Sequence, residues 1–144
     1  MQKILVHKLH EYIKENNPDL LLQLEQDGKV IEYLTNKVST VNDLPNQFKK
    51  RQPAYIIDDA CMDVLTQDLR PSKFNYINTI LEEEFTDKHQ QLREIGILKF
   101  EVINIVTQCL STFEDLKFSE ANEDNQFLRY AITGTIRDYF ESNM

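Results

Sequence analysis

Apolar residues recur every three or four positions along most of this chain, the spacing of helices that bury one side. Leu5, Leu9, Tyr12 and Ile13 predict a helix from about Gln2 to Glu15. It ends at Asn16-Asn17-Pro18, because the proline ring excludes continued helical hydrogen bonding. Asn17, Pro18 and Asp19 read as the cap and first turn of a second helix, which carries Leu20, Leu21, Leu22 and Leu24 and stops at Gly28. A third helix, about Lys29 to Thr40, sets Ile31, Leu34 and Val38 at helical spacing. The β-branched residues between Val38 and Val41 weaken its end.

The pattern lapses from Asn42 to Gln52, a polar stretch with Pro45, Phe48 and the run Lys49-Lys50-Arg51 that reads as an exposed loop. Pro53 opens a fourth helix with Ile57, Ala60, Cys61, Val64 and Leu65 inward and Asp58, Asp59 and Asp63 mostly outward. Arg70-Pro71-Ser72 marks a break. The fifth helix then uses Phe74, Ile77, Ile80, Leu81 and Phe85 as its stripe. Thr86-Asp87 starts a short helix closed at Gly96. The most apolar segment, Ile97 to Phe113, predicts a central helix through Leu98, Val102, Ile105, Val106, Cys109, Leu110 and Phe113. An acidic connector, Glu114 to Asp124, leads to a last helix of about Glu123 to Ser142, which aligns Phe127, Leu128, Ala131, Ile132, Thr135, Ile136, Tyr139 and Phe140. Gly134 inside that helix costs about 1 kcal/mol relative to alanine; either another helix approaches closely there or the position is a tolerant surface site. With no repeat, low-complexity tract or linker, the expectation is an all-α chain, one compact domain over 1–144 built as a bundle of six to eight helices.

Composition sharpens this picture. Three glycines and four prolines in 144 residues, with 41% apolar and 28% charged residues, favour helices over strands and turns. A chain of this length buries roughly 70% of its extended surface and needs neither metal nor disulfide to fold. The opening Met1-Gln2-Lys3-Ile4-Leu5-Val6-His7-Lys8 breaks off after three apolar residues, short of the about 7–15 of a secretion signal and the about 20 of a membrane span. A cytoplasmic protein with no membrane association is therefore expected. Cys61 and Cys109 sit in apolar helical patterns without a Cys-x-x-Cys spacing and read as buried, reduced thiols. The net charge of −8 is uneven: residues 1–75 hold 10 Lys/Arg against 11 Asp/Glu, and residues 76–144 hold 6 against 13. The acidic second half opposes general phosphate binding.

Candidate chemistry is sparse. His7, His10 and Glu11 share one helix face, yet the order differs from the zincin motif and a further ligand is needed. Asp58, Asp59, Asp63 and Glu82 to Glu84 lack the Glu-x-x-His partner of di-metal bundles and read as a charged outer face. No Gly-x-Ser-x-Gly elbow and no glycine-rich phosphate loop occurs. No catalytic residue, metal or cofactor is therefore assigned, and a non-enzymatic role is expected. The basic residues Lys49, Lys50 and Arg51, with Arg70 and Lys73 and with Phe48 or Tyr55 as a stacking ring, can contact phosphates. They are equally a charged contact patch for protein. Phe118, an aromatic within the acidic connector, is a second candidate anchor.

The stretch Asp68-Leu69-Arg70-Pro71-Ser72-Lys73-Phe74-Asn75-Tyr76-Ile77, Ile80-Leu81-Glu82-Glu83-Glu84-Phe85, and Leu128 to Ile136 near the end carry a family likeness. Together they resemble all-helical proteins of Bacteroidetes bacteria grouped as a domain of unknown function and often met on mobile elements. The resemblance implies a bacterial cytoplasmic helical domain and supplies no catalytic residues. The expected function is a protein-interaction module that binds another protein or a second copy of itself, through Phe48, Lys49, Lys50, Arg51, Arg70, Lys73 and Phe118. The alternative is a regulatory or nucleic-acid-associated protein using the basic run at 49–51.

Overall fold

A computed structural model describes residues 2–47 and 52–142. Among these residues every regular element is helical: α1 (Gln2–Asn16), α2 (Pro18–Asp27), α3 (Val30–Ser39), α4 (Ala54–Leu65), α5 (Lys73–Glu84), α6 (Thr86–Glu94), α7 (Leu98–Asp115) and α8 (Gln126–Ser142). Short 3₁₀ turns occupy Leu44–Gln47 and Gln67–Leu69. The all-α expectation of six to eight helices holds. No helix among the described residues is long and apolar enough to cross a membrane.

The chain divides into two compact units, Met1–Arg70 and Pro71–Met144. In the first, α1 packs against α2, α3 and α4. Its stripe of Leu5, Leu9 and Ile13 meets Leu21, Leu34, Val38, Val41, Cys61 and Leu65 in one buried cluster. In the second, α7 packs against α5, α6 and α8. The cluster there joins Ile77, Ile80 and Leu81 to Val102, Ile105, Val106, Cys109 and Phe113, and to Leu128, Ile132 and Ile136. The most apolar segment of the sequence is thus the central helix of its own unit.

Element ends follow local chemistry. Gly28 takes φ 66°, and the amides of Gly28 and Lys29 donate to the carbonyls of Glu25 and Leu24, so α2 closes in a left-handed cap. Ser72 caps α5 by accepting from the Asn75 amide at 3.0 Å. Asn17 holds the cap position of α2, but its side chain makes no capping bond; Nδ2 donates to the Leu69 carbonyl at 3.4 Å instead. The last helix starts at Gln126 rather than Glu123, because Asn125 Oδ1 accepts from the Leu128 amide at 3.0 Å and sets the cap there.

Four apolar positions expected inward are exposed: Ile31, Val64, Leu110 and Phe127. The neighbouring helices leave these side chains uncovered. Ile103, outside the expected stripe of α7, is buried.

Candidate functional site

The second unit carries a cleft of about 210 Å³ where α6, the turn after it, α7 and α8 converge. It begins with the turn. Gly96 adopts φ 81°, its amide donates to the Arg93 carbonyl at 3.1 Å, and the Ile97 amide donates to the Leu92 carbonyl at 3.1 Å. This is the double-bonded left-handed cap, which glycine enters without a Cβ penalty. It ends α6 and redirects the chain into α7 within three residues. Leu92, Ile95 and Ile97 thereby supply one apolar wall, and Phe140 on α8 supplies the other.

Polar groups converge deeper. Tyr139 Oη donates to Glu101 Oε2 at 2.6 Å, tying α8 to α7. Burial, then the hydrogen bond and negative charge of Glu101, push the Tyr139 phenol up to about 12, so it stays a neutral donor at physiological pH. Lys88 Nζ lies 5.5 Å from the centroid of the Phe140 ring, within cation–π range. The mouth of the cleft is oily. Ile95 is 62% exposed, and Ile97 is also exposed. Such an arrangement has room and apolar walls for one side chain, with a carboxylate beside it.

The residues singled out from sequence fall elsewhere. Phe48, Lys49, Lys50 and Arg51 lie outside the described residues. Arg70 belongs to the first unit, where Nη2 and Nε donate to the carbonyls of Asp63 and Thr66 at the end of α4 and just beyond. Lys73 belongs to the second, with Nζ 5.8 Å from the Phe113 centroid. Each is engaged within its own unit. Tyr55 is exposed at the start of α4.

Phe118 is half-buried, with its ring 4.7 Å from Phe113 and 5.0 Å from Tyr76 between centroids. The cause is the end of α7. Lys117 takes φ 55°, its amide donates to the Glu114 carbonyl, and the Phe118 amide donates to the Phe113 carbonyl at 2.9 Å. This cap brings the residue after the left-handed position onto the preceding turn, which folds Phe118 into the apolar cluster. The acidic connector is likewise ordered: Asn122 Nδ2 donates to the carbonyls of Leu116 and Lys117, and its Oδ1 accepts from the Ser119 amide.

The carboxylates serve as surface and ion-pair groups. Asp58 pairs with Lys8 at 3.6 Å, and Arg129 reaches Glu83 at 2.7 Å and Glu84 at 3.4 Å. His7 and Glu11 are exposed, and no group of three His, Cys, Asp or Glu among the described residues is placed to hold a metal ion. His89 is buried, its Nε2 3.1 Å from Asn78 Oδ1, linking α6 to α5. Both cysteines are buried and free; burial drives the Cys109 thiol up to about 12, which keeps it protonated and unreactive.

The cleft escaped sequence reading because its walls come from three helices and a turn. The one local signal was the sequence Ile95-Gly96-Ile97, in which a closing glycine is flanked by two large apolar residues.

A family model described as "Domain of unknown function (DUF1896)" matches residues 5–144. The chain belongs to this family. No curated protein and no solved structure matches the DUF1896 chain. The match spans both units of the DUF1896 fold, so the cleft and both apolar clusters lie within the family region.

Proposed function

We propose that this DUF1896 chain is a non-enzymatic, cytoplasmic protein-interaction module whose α6–α7–α8 cleft receives an apolar side chain of a partner protein. The observation that carries this reading is the exposure of Ile95 and Ile97 together at a cleft walled by Leu92 and Phe140. Large apolar groups exposed together around a concavity are the usual core of a contact patch, with polar residues at its rim. Charge favours a basic partner: residues 76–144 hold 13 acidic against 6 basic side chains, and Glu101 sits within the cleft. A partner segment with one aliphatic or aromatic anchor beside a lysine or arginine satisfies both the wall and the carboxylate.

The test is affinity capture of the tagged chain from native lysate beside an Ile95→Lys variant. The wild type should retain a protein at defined stoichiometry, and the variant should lose it by about tenfold or more while melting at the same temperature. Capture that is equal for both proteins, or that brings nucleic acid instead, would reject the cleft as the contact.

A further inference from the structure

The outward face of α8 presents a second, independent surface. At about 100° per residue, Phe127, Tyr130, Gly134, Arg137, Asp138 and Glu141 fall within an arc of roughly 100°, opposite the buried stripe of Leu128, Ile132 and Ile136. Phe127 is 68% and Tyr130 70% exposed, and Arg137, Asp138 and Glu141 are exposed with them. Gly134 lies at the middle of the arc. A Cβ built there meets nothing within 4 Å, so no packing among the described residues calls for glycine at a position where it weakens the helix.

We propose that two copies of this chain associate through this face, with their α8 helices antiparallel and crossing at Gly134. The face is self-complementary in that arrangement alone. Its N-terminal half is aromatic, its C-terminal half is ionic, and the glycine stands at the midpoint. A twofold axis at Gly134 sets Asp138 of each copy against Tyr130 of the other, where the phenol can donate to the carboxylate. Arg137 comes to rest beside the same ring, an arrangement suited to cation–π contact, and Glu141 falls at the hydrated rim near Phe127. A parallel pairing would set like against like. The missing Cβ lets the two backbones approach at the crossing point, and an isologous contact of this kind closes at two copies. One helix face makes a small interface, at or below about 1,200 Å², so the dimer is a transient one.

Sedimentation from about 1 µM to about 500 µM should show a reversible monomer–dimer equilibrium of micromolar to submillimolar Kd. Gly134→Gln separates an interface role from a folding role, because the two effects have opposite signs. Glutamine is the better helix former and its Cβ meets no atom of the described residues, so the dilute monomer should melt at a higher temperature while the dimer weakens about tenfold or more. In Gly134→Cys, mild oxidation should join two copies through the residue on the axis. A wild type that stays monomeric throughout, or a dimer that Gly134→Gln leaves intact, overturns the proposal.

Discussion

Phe118 shows how one residue changes meaning once its backbone is known. Among acidic neighbours in sequence it resembles an anchor offered to a partner, yet the left-handed turn at Lys117 delivers it onto Phe113 and Tyr76. Its ring therefore contributes to the second unit's own cohesion. Phe118→Ala should lower the unfolding free energy by about 1–3 kcal/mol, less than a fully buried phenylalanine because the ring is only partly covered. Urea titration of the variant checks this; an unchanged midpoint would return Phe118 to the role of a surface anchor. No sequence pattern announced the turn, because lysine rarely adopts positive φ and the usual glycine signal is missing.

At the scale of elements, most boundaries were legible where a side chain or ring acts on its own neighbours. Pro18, Gly28, Ser72 and Gly96 each sit where α1 to α6 start or stop. What escaped was any feature that needs a second element: the diversion of Asn17 to Leu69, the exposure of Leu110, and the cleft itself. The α7–α8 pair has a consequence for alkaline stability. The Cys109 thiol rises from its ordinary 9.0 to about 12, by burial alone. The Tyr139 phenol rises from 10.0 to about 12, by burial and then Glu101. Both groups are neutral when protonated, so between about pH 9 and 12 the unfolded chain holds fewer protons than the folded one. The stabilisation they give is complete below about pH 9 and is lost as pH climbs through the folded values near 12. Denaturation midpoints should fall across that window, and Tyr139→Phe should flatten the upper part of the decline. A fall that is equally steep in the variant would assign the alkaline loss to other groups.

At the scale of the whole molecule, the helical class was readable from period and composition, whereas the division at Arg70 and Pro71 was not. The break at Arg70-Pro71-Ser72 was visible as a turn, but a turn between two helices of one core and a turn between two cores have the same local chemistry. Only the sorting of buried residues into two clusters distinguishes them. Function was the least legible, since the exposed groups that suggest contact, Ile95, Ile97, Phe127 and Tyr130, occupy positions whose exposure depends on what the neighbouring helices leave uncovered.

The two hub helices also set a clock. Solvent reaches a helical amide only when the elements packed over it open, and α1 and α7 are each covered by three other helices. In deuterated buffer, the amides from Leu9 to Ile13 and from Ile105 to Cys109 should be the last in their units to exchange. Those of α2 and the outer turns of α8 should exchange early. Peptide-resolved mass spectrometry would read this order directly, and rapid labelling of α7 would mean that the second core does not close around it as described.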